Sequence, residues 1–158
     1  MTTGEKIKRI RIFRGMTQKE LGVALGFPEK GADNRIAQYE TDYRVPRQDL
    51  LDKIAQALDV APAALSVPDI DSPMELMHTL FSLEDRYGLE IYEHNGAAYL
   101  QVNPLKNREV KQLNEILLAW KQVSDRLRRG EITRAEYDRW RYCYPQYHKP
   151  KEDKNILT

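Results

Sequence analysis

The sequence predicts a mainly α-helical chain in two units: five short helices, then a helix, a β-hairpin and two further helices. Three observations carry that prediction. Helix-start signals of a hydroxyl residue followed three positions later by Glu stand at Thr17–Glu20, Ser72–Glu75 and Thr133–Glu136; hydroxyl and carboxylate reciprocally satisfy the orphan amides of a first turn. Asn95-Gly96 lies between two alternating segments, and this dipeptide suits a two-residue hairpin because both positions take positive φ. The stretch SVPDIDSP, residues 66–73, breaks helical periodicity with two prolines and two aspartates and reads as a linker.

Each element follows from local pattern. From Glu5 to Arg14, Ile7, Ile10 and Phe13 share one side, with Lys6, Lys8, Arg9, Arg11 and Arg14 elsewhere; Gly15 is a plausible left-handed terminator. After the Thr17 cap, Leu21, Ala24 and Leu25 form an apolar face. Ile36 and Tyr39 mark a third helix, Leu50, Leu51, Ile54, Ala55 and Leu58 a fourth, and Pro62 opens a short fifth. Beyond the linker, Ser72-Pro-Met-Glu75 starts a helix that runs to about Tyr87 and stops at Gly88. Leu89 and Ile91, then Ala98, Leu100 and Val102, alternate with polar or aromatic neighbours across the hairpin. Asn103-Pro104 is expected to cap a long helix ending near Arg129 and Gly130, and Thr133 a final one. The expected domains are 1–66 and 74–147, with a linker at 67–73 and a flexible tail at 148–158.

Hydrophobic residues make up 41% of the 158 and charged residues 31%, which fits a folded chain with a highly charged surface. No apolar run approaches the roughly 18 residues that span a bilayer. The basic N-terminus lacks the apolar stretch and small-residue site of a signal peptide, and Cys143 is the single cysteine, so a reducing, cytoplasmic setting is expected. The formal net charge is +1, but residues 66–103 hold one Arg against seven Asp and Glu, while both flanks are basic. That division suggests separate surfaces with separate tasks.

MTQKELGVALG followed by RIAQYE resembles the helix-turn-helix repressors of the Cro/cI and xenobiotic-response-element (XRE) family. The resemblance covers about residues 5–65 and rests on Thr17, Gln18, Glu20, Leu21, Leu25, Gly26, Ile36, Tyr39, Glu40 and Pro46, with LLDKIAQALDVAPAAL at 50–65. It implies a five-helix, lambda-repressor-like DNA-binding domain followed by a small α+β C-terminal domain for association or regulation. Double-stranded DNA is the implied partner, a homodimer the implied assembly, and repression at a palindromic operator the implied role, with no cofactor or metal. Gly22 stands where such repressors often have alanine. It costs about 1 kcal/mol of helix propensity, and close approach of the third helix would explain that cost. Family members have about six residues between the turn glycine and the apolar position of the third helix, whereas Gly26 to Ile36 spans ten. An insertion of about four residues therefore falls within Phe27–Ala32.

Asp33 then suits the N-cap or first position of a recognition helix at about 33–40, and Asp33, Asn34, Arg35 and Gln38 become the candidate base contacts. Arg35 can pair with guanine, and Asn34 or Gln38 with adenine; Asp33 has capping as an alternative. The resemblance gives Thr17 and Gln18 phosphate contacts, and Lys30, Tyr43, Arg44 and Arg47 are plausible additions. Such contacts set register without reading sequence.

No catalytic constellation stands out. His78, His94 and His148 are scattered, Cys143 lies among aromatics as filler, and phosphate-loop and nucleophile-elbow motifs are absent. The stripe Val110, Leu113, Leu117, Trp120, Val123 and Leu127 suits either a partner helix or the core of the second unit. A small-molecule effector has no pocket signature. Two rivals stay open: a protein-binding adaptor, such as an antitoxin-like accessory of a mobile element, and an enzyme with an unrecognised C-terminal site.

Overall fold

The computed structural model describes residues 1–66, 70 and 72–145. Residues 67–69 and 71 of the expected linker, and the expected tail at 148–158 with His148, lie outside the described residues. The described chain is mainly helical and falls into two compact units, one holding Ile70–Tyr137 and the other the residues before it together with those from Asp138 on.

The first unit contains α1 (Thr3–Phe13), α2 (Gln18–Ala24), α3 (Ala32–Glu40), α4 (Gln48–Ala57) and α5 (Ala63–Ser66). Each contributes to one core, in which Ile7, Ile10, Leu21, Ile36, Ile54, Leu58 and Leu65 are almost wholly buried. Burial of each such side chain stabilises by about 1.5–3 kcal/mol. The first two helices start on reciprocal caps, Thr2 with Glu5 and Thr17 with Glu20. α2 ends in a Schellman turn: Gly26 is left-handed at φ +81°, its N–H reaches the Val23 carbonyl at 2.9 Å, and the Phe27 N–H reaches the Gly22 carbonyl at 3.0 Å. The cost of Gly22 is explained as expected. A Cβ there would lie 2.7 Å from the Ala32 carbonyl oxygen and 2.9 Å from the Ala32 Cβ, so the glycine lets α3 begin hard against α2.

That approach corrects the expected start of α3. Ala32 is buried and Gly31, left-handed at φ +89°, is the N-cap without any side-chain cap. The helix opens on the Arg35 N–H bonding to the Gly31 carbonyl at 3.2 Å. Asp33 is thus the second helical residue, not the cap, because packing of Ala32 on Gly22 sets the start one residue earlier.

The second unit contains α6 (Pro73–Tyr87), β1 (Leu89–His94), β2 (Ala97–Val102) and α7 (Arg108–Arg128), with the first turn of α8 (Arg134–Cys143). The Ser72–Glu75 capping box and left-handed Gly88 bound α6. The hairpin pairs Leu89 with Val102 through His94 with Ala97, and Asn95 and Gly96 both have positive φ. α7 starts later than expected. Asn103 instead accepts the Leu105 N–H at 3.0 Å in a local turn, and Asn107 supplies the cap by accepting the Val110 N–H at 2.9 Å.

Where the sequence expectation ran the C-terminal domain to residue 147, residues from Asp138 group with the first unit. The reason is aromatic and backbone contact. The Tyr142 ring meets Phe13 edge-on at 5.3 Å between centroids, and the Tyr142 carbonyl accepts the Ala61 N–H at 2.9 Å. Cys143 Sγ lies 3.4 Å from the Asp59 carbonyl.

Candidate nucleic-acid interface

α3 has two unlike sides. Ala32, Ile36 and Glu40, four residues apart, point inward and are buried, whereas Asp33, Asn34 and Arg35 are exposed and Gln38 is half-buried. Such a helix is anchored along one stripe and leaves its N-terminal residues open. Four residues expected to read bases are therefore brought onto one short helix.

The anchor is ionic as well as apolar. Glu40 is buried, and its carboxylate receives the Arg11 guanidinium side-on, Nε at 2.5 Å from Oε1 and an Nη at 3.1 Å from Oε2. Arg11 also donates to the Met16 carbonyl at 2.6 Å, and Gln18 Nε2 donates to Glu40 at 2.8 Å. One carboxylate thus ties α1, the start of α2 and the end of α3. A charge buried this way is tolerated only when paired and hydrogen-bonded. Arg11, expected off the side that carries Ile7, Ile10 and Phe13, is buried with Ile7 and Ile10. Its signal was present: Arg11 lies four residues after Ile7, and Glu40 four after Ile36, so both share the buried stripes of their helices. Asp42 is a second missed residue. Its carboxylate accepts the Gly4 N–H at 3.0 Å and the Thr2 hydroxyl, fastening the start of α1 to the end of α3.

The long turn between α2 and α3 is held at both ends. Phe27 packs partly against the core, and Lys19 in α2 pairs with Glu29 at 3.2 Å. Arg35 lies with its guanidinium carbon 4.9 Å from the centre of the Phe27 ring.

The six candidate phosphate contacts divide into two groups. Lys30, Tyr43, Arg44 and Arg47 are exposed, Tyr43 by 78%. Arg44 is positioned by its N–H bonding to the Gln38 carbonyl at 3.0 Å, and Arg47 is the N-cap of α4, which has no side-chain cap. Thr17 and Gln18 are engaged within the chain. The Thr17 N–H and hydroxyl both donate to Glu20, at 2.7 and 2.8 Å, and Gln18 donates to Glu40. The Thr17 backbone and hydroxyl bonds hold the Glu20 carboxyl below its ordinary range, so α2 begins with a negative charge already seated.

Away from this face, burial pushes the Cys143 thiol above its ordinary value despite the nearby Arg14, as expected of packing filler rather than a nucleophile. In the second unit a pocket of about 440 Å³ lies beside the hairpin, lined by Glu84, Glu90, Asn103 and Lys106 among others. Among the described residues no helix is long and apolar enough to cross a membrane.

No curated protein matches the chain in sequence. Residues 7–65, which run from within α1 to the last core leucine in α5, match the helix-turn-helix family model. That family is DNA-binding and regulatory, and not typically enzymatic. The match covers the same helices that the Arg11–Glu40 pair and the Gly22–Ala32 approach lock together. Residues 7–65 thus form a helix-turn-helix domain, consistent with a DNA-binding regulator of the XRE type.

Proposed function

We propose that the chain is a repressor that binds a palindromic operator as a dimer, with α3 of each copy in the major groove. The observation that carries this reading is the division of α3 into a locked inner stripe and an open N-terminal face bearing Asp33, Asn34 and Arg35. The major groove admits a helix and distinguishes all four base pairs. Arg35 forks onto guanine O6 and N7, and Asn34 or Gln38 grips adenine, each worth about 1–3 kcal/mol of discrimination. Asp33 accepts from cytosine N4. Lys30, Tyr43, Arg44 and Arg47 hold the backbone and confer salt dependence. Thr17 and Gln18, at the start of α2, are the remaining candidates for backbone contact.

Dimerisation is supported by the second unit, which leaves much apolar surface open. α6 has no buried residue although Met74, Leu76, Met77, Leu80, Phe81 and Leu83 make about half its circumference apolar. A two-fold dimer presents two α3 helices to two half-sites. Repression follows by occlusion, a bound dimer excluding polymerase, by analogy with the family. Such a role belongs in the cytoplasm, where a lone reduced cysteine is at home.

Selection from a random duplex library with the full-length protein, near physiological salt, tests the reading. The expected result is a palindrome whose half-site centres lie about 10–10.5 base pairs apart or a multiple of that. A folded protein that enriches no sequence contradicts it.

A further inference from the structure

We infer that Phe27, in the lengthened turn, is a positioning residue for base readout: its ring holds the Arg35 guanidinium over its face and leaves every N–H of that group free for DNA. The inference rests on the reading of α3 as the base-contacting helix and assigns the long turn a task within it.

Three observations meet at this pair. Phe27 follows the left-handed Gly26, and its N–H is bonded to the Gly22 carbonyl, so its backbone is set by the end of α2. Its side chain packs partly against the domain core, which restrains the ring as well. Arg35 is exposed on α3, its guanidinium carbon 4.9 Å from the ring centroid, inside the roughly 6 Å reach of a cation–π contact. No carboxylate among the described residues is paired with it.

The chemistry of the contact matters more than its strength. A carboxylate partner would restrain an arginine by consuming its in-plane donors, which are the groups that fork onto guanine. An aromatic ring is not a conventional hydrogen-bond acceptor, so it restrains the cation electrostatically without pairing the donors that read the base. A four-carbon side chain otherwise has much rotamer freedom to lose on binding. Pre-ordering it moves that cost to folding, where Phe27 already has its place. The turn thus brings an aromatic platform from the end of α2 to the second turn of α3. Lys19 and Glu29, both exposed, form a salt bridge across the same turn at 3.2 Å.

The test is a double-mutant cycle of Phe27→Leu and Arg35→Ala, measured on the duplex selected by the wild-type protein and on a scrambled duplex. Leucine keeps an apolar side chain on the core and removes the π face; thermal unfolding of each variant checks the fold. Phe27→Leu is expected to weaken binding to the selected duplex about two- to six-fold. Binding to the scrambled duplex and the salt slope should not change, guanine preference at the contacted position should relax, and Phe27→Tyr should restore it. In the Arg35→Ala background, Phe27→Leu should have no further effect. An equal loss with and without Arg35, or a parallel loss on both duplexes, overturns the inference and leaves Phe27 a packing residue only. If Arg35→Ala itself changes nothing on the selected duplex, α3 does not read through Arg35 and the inference alone fails. If selection enriches no duplex at all, the functional reading fails and takes the inference with it.

Discussion

The helix-turn-helix domain and the second unit dispose of their apolar residues in opposite ways. In the first, every helix sends side chains into one closed core, and even a charged pair, Arg11 with Glu40, is drawn inside it. In the second, Val102, Val110 and Tyr137 are the buried hydrophobics among the described residues. Phe81 is 49%, Trp120 50% and Ile91 70% exposed. A two-stranded hairpin is marginal by itself in water, so the second unit gains most from being covered, whereas the first is complete as it stands. The lesson is a difference in stabilisation: one unit closes on an internal core, the other leaves apolar surface exposed, which is the surface that the proposed association would use.

The comparison can be broken from either side. The largest effect is expected at Glu40. Glu40→Ala leaves Arg11 buried without its counter-charge and should cost about 3–5 kcal/mol of domain stability, read by denaturant unfolding. Replacing both partners with apolar residues should be milder than removing either. A loss below about 1 kcal/mol for the single variant would mean that Arg11 escapes to solvent and the inner anchor is apolar only.

In the second unit, Phe81→Ser distinguishes an open surface from a covered one. For a side chain half-exposed in the working state, such a change falls within about 0.5 kcal/mol. For an aromatic at the centre of an interface it costs about 2 kcal/mol, roughly a thirty-fold weaker dimer by sedimentation. No change in association would place the interface elsewhere. Gly22→Ala sharpens the account of the first unit. Helix propensity favours it by about 1 kcal/mol, but the added methyl meets Ala32 backbone and Cβ at 2.7 and 2.9 Å. Such overpacking costs about 1–3 kcal/mol, so a net loss of up to about 2 kcal/mol is expected. A gain in stability would show that α3 shifts freely.

Much of this architecture was legible in the residues. Caps at Thr17 and Ser72, the left-handed glycines at 15, 26 and 88, the Asn95-Gly96 turn and the close approach at Gly22 are local signals with local causes. What escaped was set at a distance. The start of α3 depends on how Ala32 meets Gly22, and Asn107 was passed over for Asn103 because both precede helical pattern. The attachment of Tyr142 and Cys143 to Phe13, Arg14 and Asp59 joins residues some 80 to 130 positions apart, where periodicity is silent. At the candidate site the exposed side chains of α3 followed from helical spacing. The bond from Gln18 to Glu40 did not, because it answers to a carboxylate on another helix whose placement had first to be known, whereas the Thr17–Glu20 bond is the cap that the sequence announces.

The central claim is that α3 reads bases while the surrounding cations hold phosphate. The most direct measurement compares Arg35→Ala with Arg47→Ala on the selected and the scrambled duplex over a range of salt. Arg35→Ala should lose about 1–3 kcal/mol on the selected duplex alone, and Arg47→Ala should weaken both duplexes and lower the salt slope by about one. Equal losses on both duplexes for Arg35→Ala, with the salt slope reduced, would contradict the account and make Arg35 one more phosphate contact.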